Sequence, residues 1–217
     1  HKIASLREVF PNYHFAKSLD ATSRYFHQNA YNVTLSINTI VLVDTFKFGK
    51  STTQNFVTKT FYKLQNISES GEALVCSIKH NDTTYRVANF RLSYPATSLE
   101  RINQLKKVFK YFNSHKNVFI CGDFNLIDKK YFAWVQKFVL GYFQNQLDYL
   151  YEKSEFDKLI KKYGYNNPHV NMGTYLNILP KTQPDRILYP QNYKLKSADL
   201  HKKVFGSDHH IISVDLT

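Results

Sequence analysis

Between Thr84 and Cys121 the apolar residues of this chain change period twice. Thr84 to Leu92 and Val118 to Cys121 are short runs rich in β-branched and apolar residues, the composition of strands. Between them Leu99, Ile102, Leu105, Val108 or Phe109, and Phe112 recur at helical spacing, with Thr97 or Ser98 placed as an N-cap and Lys106, Lys107 and Lys110 on the outer face. Strand, helix and strand in succession bury their apolar faces by stacking a helix layer on a sheet. Ala73 to Ile78 and Thr84 to Leu92 bracket the polar Lys79-His80-Asn81-Asp82 and read as a hairpin. Val33 to Val43 and Phe56 to Leu64 have the composition of strands, Tyr131 to Phe143 and Ser154 to Tyr163 read as helices, and Arg186 to Tyr189 and Ile211 to Leu216 as strands. Strands early and late with helices between them predict a sheet-rich α/β layer structure.

The 217 residues fit one domain, which at that length buries about 70% of its unfolded surface without a disulfide or structural metal. No internal repeat, linker or low-complexity block divides residues 1–217, so one domain is expected. Cys76 and Cys121 lie in apolar strand-like runs and read as free thiols, which leaves the compartment undetermined. No apolar run reaches the length of about 18 residues that a membrane helix needs, and no leader-like stretch opens the chain. Twenty-nine Lys and Arg against 17 Asp and Glu give a net charge of +12, which favours an anionic partner such as nucleic acid or an anionic membrane surface over a solvated basic face only about evenly.

Chemistry-bearing residues gather at the ends of three predicted strands. Val118 to Cys121 runs into Gly122-Asp123-Phe124-Asn125, with a carboxylate and a carboxamide two residues apart on one face. Pro184-Asp185-Arg186-Ile187-Leu188 sets a lone carboxylate just before a strand, and Gly206-Ser207-Asp208-His209 precedes Ile211 to Val214. Each alone is ordinarily an Asx-turn residue or a solvated histidine.

Taken in order, the three resemble the GDFN box, the DRI strand and the terminal SDH box of the endonuclease/exonuclease/phosphatase superfamily, whose members include deoxyribonuclease I. Arg101-Ile102-Asn103-Gln104-Leu105 is similar to the R-x-x-Q-L helix of that family, and the likeness covers residues 85–217 well and 1–60 loosely. The resemblance implies a four-layer α/β (α+β) sandwich of two packed β-sheets flanked by helices, and a divalent-metal-dependent phosphodiesterase. It assigns His209 as general base, Asp185 as the group that orients it, Asp123 and Asn125 as brackets for the attacking water and the phosphate, and Asp208 as a residue at the cation. Histidine suits the base because it accepts a proton near neutral pH, and a carboxylate on its second nitrogen fixes its tautomer. Hard oxygen donors and the lack of a zinc-spaced Cys/His cluster imply Mg2+, with Mn2+ in its place.

The chain departs from the family pattern twice. Asn89-Phe90-Arg91-Leu92 sets Arg91 where many members carry a histidine; a guanidinium cannot donate a proton at neutral pH but binds phosphate bidentately. No segment matches the opening strand, and Leu6-Arg7-Glu8-Val9 is followed too soon by Phe10-Pro11 to be the glutamate strand that ligates metal. Ile3 to Phe10 therefore reads as the helix after that strand, and the domain as incomplete at its N-terminus, with Glu8 a minor candidate for a ligand. A monomeric nuclease acting on DNA or RNA is the leading expectation. The alternatives are a phosphatase or phospholipase-type member acting on inositol phosphate or sphingomyelin, and a non-catalytic binding module of the same fold.

Overall fold

The computed structural model describes residues 8–23, 28–50, 56, 59–60, 63, 67–69, 71–94, 96–126, 130, 133–134, 148–170, 172–174, 182–202 and 209–217. Among them the strands are β1 (His14–Ser23), β2 (Gln28–Ser36), β3 (Ile40–Lys47), β4 (Ile67–Glu69), β5 (Glu72–His80), β6 (Thr83–Arg91), β7 (Val118–Asp123), β8 (Tyr165–Asn166), β9 (Asp185–Pro190), β10 (Leu195–His201) and β11 (Ile211–Leu216). The long helices are α1 (Ser98–Phe112) and α2 (Tyr149–Tyr163). One six-stranded sheet runs β3-β5-β6-β7-β9-β8; a three-stranded sheet β2-β1-β4 and a two-stranded sheet β10-β11 complete the described strands. Only β6 and β7 pair in parallel within the large sheet, because α1 carries the chain back between them; the other pairs are antiparallel.

The large sheet is covered on both faces. Ala73 and Val75 of β5, Ala88 and Phe90 of β6, Val118 and Ile120 of β7 and Leu188 of β9 pack against α1 and α2. The alternate β5 residues Leu74 and Cys76 turn to the opposite face and meet Ala16 of β1. Strand β5 is consequently an almost unbroken apolar run, as a strand buried on both sides must be.

Helix α1 starts where its sequence says. Thr97 accepts from the Glu100 amide while the Glu100 carboxylate accepts from the Thr97 amide, a reciprocal capping box. Ile102, Leu105, Val108, Phe109 and Phe112 all face the core, but Leu99 is 57% exposed. Arg101, fully buried, donates from Nε to Glu152 of α2 (3.2 Å) and from Nη1 to the carbonyls of Tyr94 (3.1 Å) and Ala96 (2.6 Å). Gln104 Nε2 donates to Gly49 O (2.7 Å). The Arg and Gln of the R-x-x-Q-L pattern thus stitch the helix to the loop after β6, to α2 and to the loop after β3.

Several expectations need correction. The run Val33 to Val43 is two strands, broken at Ile37 to Thr39 where the chain leaves one sheet for the other. The described residues within Phe56 to Leu64 are helical, so β-branched composition there misled. Helix α2 begins five residues before Ser154, capped by Asp148, whose carboxylate accepts from the Leu150 and Tyr151 amides, and it ends at Gly164 in the left-handed conformation. Of Tyr131 to Phe143, Ala133 and Trp134 are helical and the rest lies outside the described residues. Strands β1 and β10 were not legible: β1 buries the small Ala16 and Ser18, and β10 is largely exposed, so neither shows an apolar alternation. The expected sandwich of packed sheets stands, with both long helices on the face of the large sheet away from the smaller sheets.

A buried guanidinium stripped of its carboxylate is costly. Glu152→Ala is expected to lower unfolding stability by about 3–5 kcal/mol, read as a drop in the urea midpoint. Replacing both partners, Arg101→Met with Glu152→Leu, is expected to recover most of that loss.

Candidate active site

Sheet pairing, rather than sequence proximity, assembles the polar cluster. Antiparallel pairing of β7 with β9 sets Asp123 directly opposite Asp185, and parallel pairing of β6 with β7 sets Arg91 beside Asp123. The approach depends on Gly122, whose φ of 136° is one that side chains avoid and whose absent Cβ would lie 1.9 Å from Phe90 O. Beyond the strand, Phe124 is buried against Phe90 and Phe156, which fixes the turn to the core. Its amide donates to Pro184 O (2.8 Å), and the Leu92 amide donates to Asp123 O (2.9 Å). Asn125 adopts a left-handed φ of 47°; its amide donates to Asp123 Oδ1 (3.0 Å) and its side-chain Nδ2 to Leu92 O (2.8 Å). An amide nitrogen has two hydrogens, so this bond uses one of the two donors.

His209, just ahead of β11, brings Nδ1 to 2.7 Å from Asp185 Oδ2. Asp185 is itself held by a residue that no sequence pattern marked. Thr174, fully buried, accepts at Oγ1 from the Asp185 amide (3.2 Å) and at its carbonyl from the His210 amide (2.7 Å), and its own amide donates to Thr182 O (2.9 Å). One side chain and its backbone therefore tie together the two segments from which Asp185 and His209 project.

The carboxyl of Asp123 is raised from the usual 3.8 to about 6, chiefly by burial and secondly by the negative charge of Asp185. Arg91, His209 and the Asn125 amide act in the opposite direction. Arg91, Asp123 and Asp185 line one cleft of about 600 Å³ with Tyr31, Asn32 and His210. Asp123, Asn125, Asp185, His209 and Arg91 are thus brought together, whereas Asp208 lies outside the described residues. Glu8 is exposed in a helical turn. No three His, Cys, Asp or Glu side chains gather into a cation cage among the described residues. The oxygens of Asp123 and Asp185 are nonetheless the hard donors a magnesium ion takes, and their mutual repulsion is what a cation would relieve.

The raised carboxyl of Asp123 makes stability depend on pH. Because the fold binds this proton more tightly than the unfolded chain, the contribution is fully present below about pH 3.8 and is lost as pH rises through about 6. In metal-free buffer, Asp123→Asn is expected to raise stability by on the order of 1–2 kcal/mol at pH 8 and to have little effect at pH 4. Thermal melts of both proteins at the two pH values check this.

Neither a protein-family model nor a curated protein matches the sequence. Solved structures do. An endonuclease/exonuclease/phosphatase family protein from Leptotrichia buccalis superposes over 99% of this chain and 77% of its own, with a TM-score of 0.64 at 13% identity. The mannosyl-6-phosphatase Bt3783 of Bacteroides thetaiotaomicron matches 100% of this chain and 81% of its own (TM-score 0.60, 15% identity). TDP2 of D. rerio, in complex with a single strand DNA product, matches 99% and 81% (TM-score 0.60, 14% identity). Likeness at such identities is a likeness of architecture, and with the strand ends meeting as described, this chain has the fold of the endonuclease/exonuclease/phosphatase family.

Proposed function

We propose that this chain is a phosphoesterase that hydrolyses phosphodiester bonds in nucleic acid. The observation that carries the reading is the 2.7 Å contact of His209 Nδ1 with Asp185, set at strand ends next to Asp123 and Arg91. With its Nδ1 proton held by Asp185, the imidazole takes a proton from water at Nε2, and the carboxylate stabilises the imidazolium that results. Arg91 offsets negative charge on the phosphoryl oxygens through its guanidinium fork, in place of a histidine that would donate a proton. Asn125 donates its remaining amide hydrogen to the phosphate, and Asp123 holds the attacking water. A magnesium ion held by Asp208 with the carboxylates of the cluster would supply charge neutralisation at the phosphate and leaving group.

The net charge of +12 favours a polyanion over a small ester. A phosphomonoester is the second reading, because a mannosyl-6-phosphatase has the same architecture and the same residues serve a terminal phosphate equally well. A binding module without turnover is the third, favoured by Arg91 in place of a histidine.

The reading is tested by hydrolysis of plasmid DNA, RNA, bis-p-nitrophenyl phosphate and p-nitrophenyl phosphate, each with and without Mg2+. Metal-dependent cleavage of a diester is expected, with His209→Ala lowering kcat by about 10²–10⁴-fold. Asp185→Asn is expected to fall in the same range by releasing the imidazole from its tautomer. A His209→Ala variant with full activity would remove the assigned base; turnover of the monoester alone would favour the phosphatase.

A further inference from the structure

We propose that a cavity at the end of β7 away from Asp123 binds one nucleotide, with its base inside and its phosphate on Lys116, at a site separate from the carboxylate cluster. The cavity has a volume of about 260 Å³ and lies where the C-terminal ends of α1 and α2 meet the first residue of β7 and the turn after β9. Val118 lines it, whereas Asp123 lines the cleft described above, so at about 3.3 Å per residue of strand the two sites stand roughly 17 Å apart. Binding here is therefore independent of the hydrolytic reading.

The lining suits a flat ring system with polar edges. Phe112 and Tyr165, almost without exposure, and the half-buried Tyr163 supply an apolar surface of aromatic rings. Such rings pack against the face of a base whatever its identity. Asn113, Asn117 and Asn192 line the same cavity, and no hydrogen bond joins their side chains to another described residue. Each carboxamide offers two donors and an acceptor, the combination that reads the edge of a base and matches adenine best. The volume falls below the roughly 300–1,000 Å³ of clefts that hold drug-sized ligands, which leaves room for one base with its ribose and phosphate towards solvent.

Charge decides for an anion. Two helix C-termini would by themselves favour a cation, but their carbonyls are already engaged. The His115 amide donates to Phe112 O (2.9 Å) and His115 Nδ1 to Tyr111 O (3.2 Å), while the Gly164 amide donates to Ile160 O and Lys161 O. Lys110, Lys161 and Lys162 stand in the last turns of the two helices, and no described residue that lines the cavity is a carboxylate. Lys116, exposed, lines the cavity itself and supplies the point charge that a phosphate takes. The loop that carries these groups is fixed in the fold: Asn117 holds a left-handed φ of 54°, and the Arg86 amide donates to its carbonyl (2.9 Å). A preformed site gives up less freedom on binding.

Calorimetric titration in EDTA with adenosine monophosphate, adenosine, inorganic phosphate and a short oligo-deoxyadenylate tests this apart from catalysis. Lys116→Ala is expected to weaken adenosine monophosphate by about tenfold or more while leaving adenosine unchanged. Asn117→Gly, which keeps the left-handed backbone, is expected to weaken both; Asn192→Ala replaces it if the glycine lowers the melting temperature. His209→Ala is expected to leave the binding of all four probes as it is. The oligonucleotide bound with the same sensitivity, in the absence of mononucleotide binding, supports the site with a nucleotide of a strand as its occupant. Binding that the cavity variants spare and His209→Ala removes places the nucleotide in the other cleft and overturns the proposal. Phosphate bound as tightly as adenosine monophosphate, or no binding of either nucleotide probe, overturns it equally.

Discussion

The close backbone approach of β6 and β7 at Gly122 is the contact on which the site depends. Any side chain at this position would collide with Phe90 O, and relief of that collision would separate the strands. The parallel ladder there sets Arg91 beside Asp123, and the same strand pairs on its other side with β9 to bring in Asp185. Helix α1 makes this pairing possible by carrying the chain across one face of the sheet; its buried Arg101 fixes the loop that follows Arg91, and its Gln104 ties the helix to Gly49. Core packing and the arrangement of charge are thus consequences of one crossover.

The cluster so formed is electrostatically uneasy. Two carboxylates face each other at the end of a sheet, and burial together with the charge of Asp185 raises the Asp123 carboxyl to about 6. A fold gains nothing in stability from this. The opposing charges of Arg91 and His209 moderate the repulsion, and a divalent cation or a phosphate between the groups would alter the balance further. Thr174 contributes through geometry alone, since its hydrogen bonds join the segment that bears Asp185 to the one that bears His209.

The two faces of the large sheet are built differently. Against the helices the interface is apolar and closed, with Phe90, Ile102, Leu105, Phe109 and Ile120 almost without exposure. Against the smaller sheets it is made of short and polar side chains, Ala16, Ser18, Asn32 and Thr34, and it opens into the cleft that Asp123 and Asp185 share. The face that carries the polar cluster is the less densely covered one.

By itself the sequence determined the segments whose physics is local. The capping box at Thr97 and Glu100, the helical apolar period that follows, the hairpin about Asn81 and the GDFN turn all depend on residues within a few positions of one another. Asp123, Asn125, Asp185 and His209 were singled out by the resemblance of their three boxes, taken in order, to the family pattern, since each alone reads as an Asx-turn residue or a solvated histidine. Long-range pairing was left to the tertiary structure: that Asp185 lies opposite Asp123, that His209 meets Asp185, and that Thr174 holds both. Also decided there were the break of Val33 to Val43 into strands of two sheets and the assignment of the small residues of β1 to an interior. Those outcomes rest on which strand edges meet, and a hydrogen-bond ladder between distant segments leaves no period or composition in the chain that forms it.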